Sequence, residues 1–113
     1  GATALYTTAL AAFRHMNANY VEGRLNQVVI LTDGRNENPG DPDEITLERL
    51  LELLRAEFDP KRPVRIITIG YSEDADMAAL EQISAATGAR AYLSQDPRDV
   101  LGVFIDAVTQ AGT

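Results

Sequence analysis

Two stretches of the chain are apolar almost without interruption. Val28-Val29-Ile30-Leu31-Thr32 ends at Asp33-Gly34, and Val64-Arg65-Ile66-Ile67-Thr68-Ile69 ends at Gly70. Continuous β-branched runs of this length, without strict alternation, suit parallel strands covered on both faces. Ala91-Tyr92-Leu93, just after the turn residue Gly88, is a weaker third strand. Around these runs the apolar positions change to helical spacing. Leu5, Ala9, Ala12, Phe13, Met16 and Tyr20 make one stripe, and Leu47, Leu50, Leu51, Leu54 and Phe58 make a second. Met77, Leu80, Ile83 and Thr87 form a third, closed by Gly88 in a position suited to a helix C-terminus. Val100, Leu101, Phe104, Ile105 and Val108 form a fourth; Asp96 can cap it, Pro97 suits its first position and Asp99 favours its first turn.

The order is helix, strand, helix, strand, helix, strand, helix. It predicts an α/β three-layer sandwich in which three mainly parallel strands are flanked by about four helices. The irregular stretch from Gly34 to Glu44 follows the carboxyl end of the first strand, where open α/β sheets place their sites. That first strand has the composition of a central one, which requires a neighbour on each side. The expectation is that a partner covers its open edge, or that part of the domain lies upstream of Gly1 and residues 1–113 form one partial domain.

Composition narrows the chemistry. The 113 residues include no cysteine and one histidine, His15, so thiolate metal sites, cysteine nucleophiles and histidine-rich zinc sites are excluded. Seventeen acids against ten bases give a net charge of −7, which disfavours nucleic acid and anionic membranes as partners. No apolar run approaches the roughly 18 residues of a membrane-spanning helix. Neither a dinucleotide-binding nor a P-loop glycine pattern occurs.

The candidate chemistry sits at Asp33. A carboxylate at the carboxyl end of a parallel strand can reach a hard cation, although Asp-Gly is equally good turn chemistry. An aspartate-dependent phosphotransferase is the enzymatic alternative. Such enzymes place a nucleophilic Asp two residues before the Asp of the Asp-Gly pair, where Leu31 stands here, so enzymatic activity is not expected.

Taken together, Gly1-Ala2-Thr3-Ala4-Leu5-Tyr6 opening a helix, Val28 to Gly34, Ile66 to Gly70, and Ala75-Asp76 leading into Ala86-Thr87-Gly88 resemble the later part of the von Willebrand factor type A domain. The likeness is to bacterial members with a Gly-Gly-Thr-x-Leu-Tyr segment, Ala2 replacing the second glycine. The resemblance implies a truncated Rossmann-like fold and a protein-binding module built on a metal ion-dependent adhesion site. In that site Thr3 matches the second-loop ligand and Asp33 the third-loop ligand of Mg2+ (or Mn2+). The family's Asp-x-Ser-x-Ser segment has no counterpart in this chain, so the resemblance implies weak or no metal binding by these residues alone. It also implies an unidentified protein partner whose acidic residue completes the coordination, and an extracytoplasmic or membrane-anchored parent protein. The bland reading of Thr3 is a helix N-cap. Glu37, Asp41, Asp43 and Glu44 read as a solvated loop, with Asp41-Pro42 helping to start the second helix; Ser72, Asp74 and Asp76 read as caps of the third. A third function class is structural: a scaffold that forms a homodimer through the exposed edge of the first strand.

Overall fold

The computed structural model describes residues 5–33, 44–72, 75–94 and 96–111. Its centre is strand β2 (Arg65–Gly70), in which every residue after Arg65 is buried. β1 (Gln27–Thr32) lies on one side of it and β3 (Ala91–Leu93) on the other, and both pairings are parallel. Gln27 is level with Arg65 and Thr32 with Gly70, so β1 and β2 are matched along their full length. The two apolar runs are therefore not equivalent. β2 takes the central place, whereas β1 pairs with no second strand among the described residues and leaves Leu31 46% exposed.

Helices α1 (Leu5–Ala18), α2 (Leu47–Glu57) and α3 (Met77–Ala85) cover one face of the sheet. Ala9, Leu10 and Phe13 of α1, Leu50, Leu51 and Leu54 of α2 and Ile83 of α3 close over Val28, Val64 and Ile66. On the opposite face α4 (Val100–Ala111) lies alone, setting Ala107, Val103 and Phe104 against Ile67 and Ile69. Alternation along the strands sorts the side chains between these layers: Ile66 and Thr68 face the three helices, Ile67 and Ile69 face α4. The result is the expected α/β sandwich of three parallel strands and four helices. Among the described residues no helix is long and apolar enough to cross a membrane.

Buried hydroxyls knit the central strand to α3. The Thr68 hydroxyl donates to the Leu80 carbonyl at 3.2 Å and lies 2.9 Å from that of Ser84. Thr87 Oγ1 accepts the Ile66 N–H at 2.8 Å and donates to the Ser84 carbonyl. Each of these three buried hydroxyls thus finds a partner, as a water-free interior requires.

The helix starts follow local chemistry, with some departures from expectation. α2 begins at Leu47, and Thr46 caps it by accepting the Arg49 N–H; Asp41 and Pro42 lie outside the described residues. Asp76 caps α3 by accepting the Ala79 N–H, while the Ser72 carbonyl accepts the Ala75 N–H, and Asp74 lies outside the described residues. Asp96 accepts the Arg98 N–H as a cap should, but Pro97–Asp99 form a 3₁₀ turn and the α-helix starts one step later, at Val100. Gly88, at φ +74°, makes the left-handed turn after α3 that a side chain would strain.

Candidate functional site

Parallel strands bring their carboxyl ends to one rim of the sheet, and the helix that precedes β1 begins there as well. Asp33 follows β1 directly and is half-buried. Beside it the Thr32 carbonyl accepts the Tyr71 N–H at 3.0 Å, and on the far side of β2 the Gly70 carbonyl accepts the Ser94 N–H at 2.7 Å. These two bonds prolong the sheet by one residue past each strand, so Asp33, Tyr71 and Ser94 line up along the rim.

The first turn of α1 reaches the same rim. Glu44 Oε1 accepts both the N–H and the hydroxyl of Thr7, each at 2.9 Å, and the Ile45 N–H donates back to Thr7 Oγ1 at 3.3 Å. A carboxylate at the start of a helix meets unsatisfied N–H groups and the positive end of the helix dipole. Glu44 is therefore not a solvated loop residue, as its sequence context suggests, but a half-buried anchor reaching across 37 positions. Its second oxygen, Oε2, is buried without a hydrogen-bond partner.

Tyr6, one residue before Thr7, reports the electrostatics of the place. Its phenol is held above the usual tyrosine range first by burial, then by the negative charges of Asp76 and Glu44. The first turn of α1, the start of α3 and the residue entering α2 thus come together around Tyr6.

The donor set can be weighed against a divalent ion. Magnesium takes six oxygens in a near-octahedral shell and keeps water where protein ligands are few. Asp33 offers one hard carboxylate oxygen at the end of β1. Thr3 lies outside the described residues, two positions before the buried Leu5 that opens α1. Among the described residues no three His, Cys, Asp or Glu side chains come close enough to hold a metal ion. The described residues therefore do not enclose a cation. His15 is exposed in α1, about two turns beyond Thr7.

Comparison with known proteins adds the fold and little chemistry. No family model matches the chain. Two uncharacterized proteins of Mycobacterium tuberculosis, one from strain CDC 1551 / Oshkosh and one from strain H37Rv, are each 27% identical over 88 residues. The match takes in 78% of this chain and 12% of each mycobacterial protein, so the chain corresponds to a small part of either. The crystal structure of an uncharacterized membrane-spanning protein from Vibrio fischeri superposes with a TM-score of 0.53 at 16% identity. It covers 80% of this chain and 50% of that one. The likeness is one of fold.

Proposed function

We propose that this chain is part of a non-enzymatic, metal-dependent protein-binding module of the von Willebrand factor type A kind, with Asp33 as a ligand of Mg2+ or Mn2+. The observation that supports the reading is the position of Asp33: a half-buried carboxylate directly after the carboxyl end of a parallel strand. Thr3 belongs to the same proposal as the hydroxyl ligand preceding α1. The cation would polarise and orient an acidic group of a protein partner, completing its oxygen shell with that carboxylate. Two protein ligands, one of them neutral, hold magnesium weakly, and the remaining donors come from outside these residues.

Paramagnetic relaxation by Mn2+ reads binding even in the millimolar range. The expected result is broadening of amide signals confined to Asp33, Thr32, Tyr71 and the first turn of α1, abolished by Asp33→Ala. Uniform broadening, or broadening that survives Asp33→Ala, would overturn the assignment. A second reading, a scaffold that self-associates, is supported by β1 having a strand on one side only among the described residues.

A further inference from the structure

We infer that the amino end of the sheet docks on an anionic lipid bilayer, with Arg24, Lys61, Arg62 and Arg65 at the headgroups and Val21 and Leu25 beside them. The inference is independent of the cation, and it leaves the Asp33 rim pointing away from the bilayer. This surface faces along the strands rather than across the sheet, so a further strand beside β1 would not cover it.

Parallel strands gather the segments that enter them at one end. Residues 19–26 enter β1 there and residues 58–64 enter β2, while α2 runs back against the strands and brings Arg55 of its last turn to the same end. With Arg65 at the start of β2, this end holds five bases, Arg24, Arg55, Lys61, Arg62 and Arg65. Against them stand two acids outside the Arg14–Glu57 pair, Glu22 and Asp59. Among the described residues none of the five bases forms an ion pair, whereas Arg14, Arg49 and Arg98 each do. The net charge of −7 hides this local surplus. Asp33, Glu44 and Asp76 lie at the opposite end, about 20 Å away by the length of a six-residue strand. That is about twice the screening length at 0.1 M salt, so they oppose an anionic surface here only weakly.

The loops that carry these groups are held in place. Buried Asn26 accepts the Val21 N–H at 3.0 Å and donates to the Val21 and Arg24 carbonyls, each at 2.9 Å. Gly23, at φ +81°, makes the turn between them. This loop leaves Val21 47% and Leu25 49% exposed, flanking Arg24 in sequence. In the next loop Asp59 accepts the Lys61 N–H through Oδ1 and the Arg62 N–H through its carbonyl. The Arg62 guanidinium lies 5.0 Å from the centre of the Tyr20 ring, which ties the two loops together. Exposed aliphatic tips beside unpaired cations suit the boundary between headgroups and acyl chains: the methyl groups enter the apolar layer and the charges stay at the phosphates. An acidic protein segment would need a carboxylate placed for each base. A bilayer needs only density of charge, which bases drawn from two loops and a helix end supply.

Co-sedimentation of the chain with vesicles of mixed phosphatidylglycerol and phosphatidylcholine tests the inference. Binding is expected at about 0.1 M salt, weakening as salt rises, with none to phosphatidylcholine alone. Arg24→Gln, Lys61→Gln and Arg62→Gln should each lower it about fivefold. Arg49→Gln makes the same change in net charge near the other end of α2 and should leave binding unchanged. Val21→Ser combined with Leu25→Ser should lower binding about tenfold, with an unchanged circular dichroism spectrum. No binding to the mixed vesicles would overturn the proposal. So would an equal loss with Arg49→Gln and Arg62→Gln, the mark of net charge alone, or binding to soluble polyglutamate as tight as to the vesicles, the mark of an acidic protein partner.

Discussion

Gly70→Ala puts the packing at the end of the central strand to a quantitative test. A Cβ at this position would stand 3.0 Å from Ala75 Cβ, 3.0 Å from Met77 Sδ and 3.2 Å from Leu80 Cδ1. Carbon atoms pack best at about 3.5–4.0 Å, so all three contacts are too short by several tenths of an ångström. Met77 can swing its sulfur away. Ala75 cannot, because its Cβ is fixed to a turn whose Ala75 N–H bonds the Ser72 carbonyl and whose Ala75 carbonyl takes the Met77 N–H. Gly70 does not have a positive φ, so the cost is steric and owes nothing to backbone strain. Overpacking of this kind costs about 1–3 kcal/mol. Against it stands a gain of roughly 0.4–1 kcal/mol from the stiffer unfolded chain. The balance is a loss of about 1–2 kcal/mol, which for a domain near this size lowers the melting temperature by roughly 4–10 °C. Urea unfolding followed by circular dichroism measures the loss directly. Adding Met77→Ala should recover part of it, since one of the two shortest contacts disappears. A Gly70→Ala chain as stable as the parent would refute the packing argument.

Two further outcomes test the surroundings of the rim and a surface pair. Glu44→Ala removes the acceptor shared by the Thr7 N–H and hydroxyl, and a bond to a charged acceptor is worth about 1.5–3 kcal/mol. Hydrogen exchange should show the Thr7 amide losing protection by tenfold or more, while amides of β2 change far less; equal loss everywhere would make Glu44 a global rather than a local anchor. Arg14 donates to Glu57 at 2.9 and 2.7 Å, and this bonding holds the Glu57 carboxyl below its ordinary value of 4.5. A lowered folded-state value means the stabilisation is present above pH 4.5 and is lost as the pH falls through the folded value. The stability gap between the parent and Arg14→Gln should therefore be small at neutral pH, as an exposed pair dictates, and close in acid; a gap that widens in acid would refute it.

Local chemistry alone determined most of the architecture. Uninterrupted β-branched runs favour strands, and stripes at helical spacing favour helices with one buried side. Their alternation leaves a parallel sandwich as the arrangement that buries both. Asp76 and Asp96 were legible as caps because a cap needs only its own next three residues. What the sequence left open are the contacts between distant positions. The runs at β1 and β2 look alike, yet among the described residues only β2 has a strand on each side, because a strand's place in the sheet depends on which helices and strands pack around it. Thr46 passed unnoticed as a cap beside the more conspicuous Asp41-Pro42. Glu44 looked like one more acid in a polar loop, and its grip on Thr7 exists only because folding brings the start of α1 to the end of β1. Asp33 was legible as a candidate from its place after a strand. That it shares its rim with Tyr71 and Ser94, while Tyr6 senses Asp76 and Glu44, was decided by the parallel sheet, which gathers chain segments far apart in sequence along a single edge.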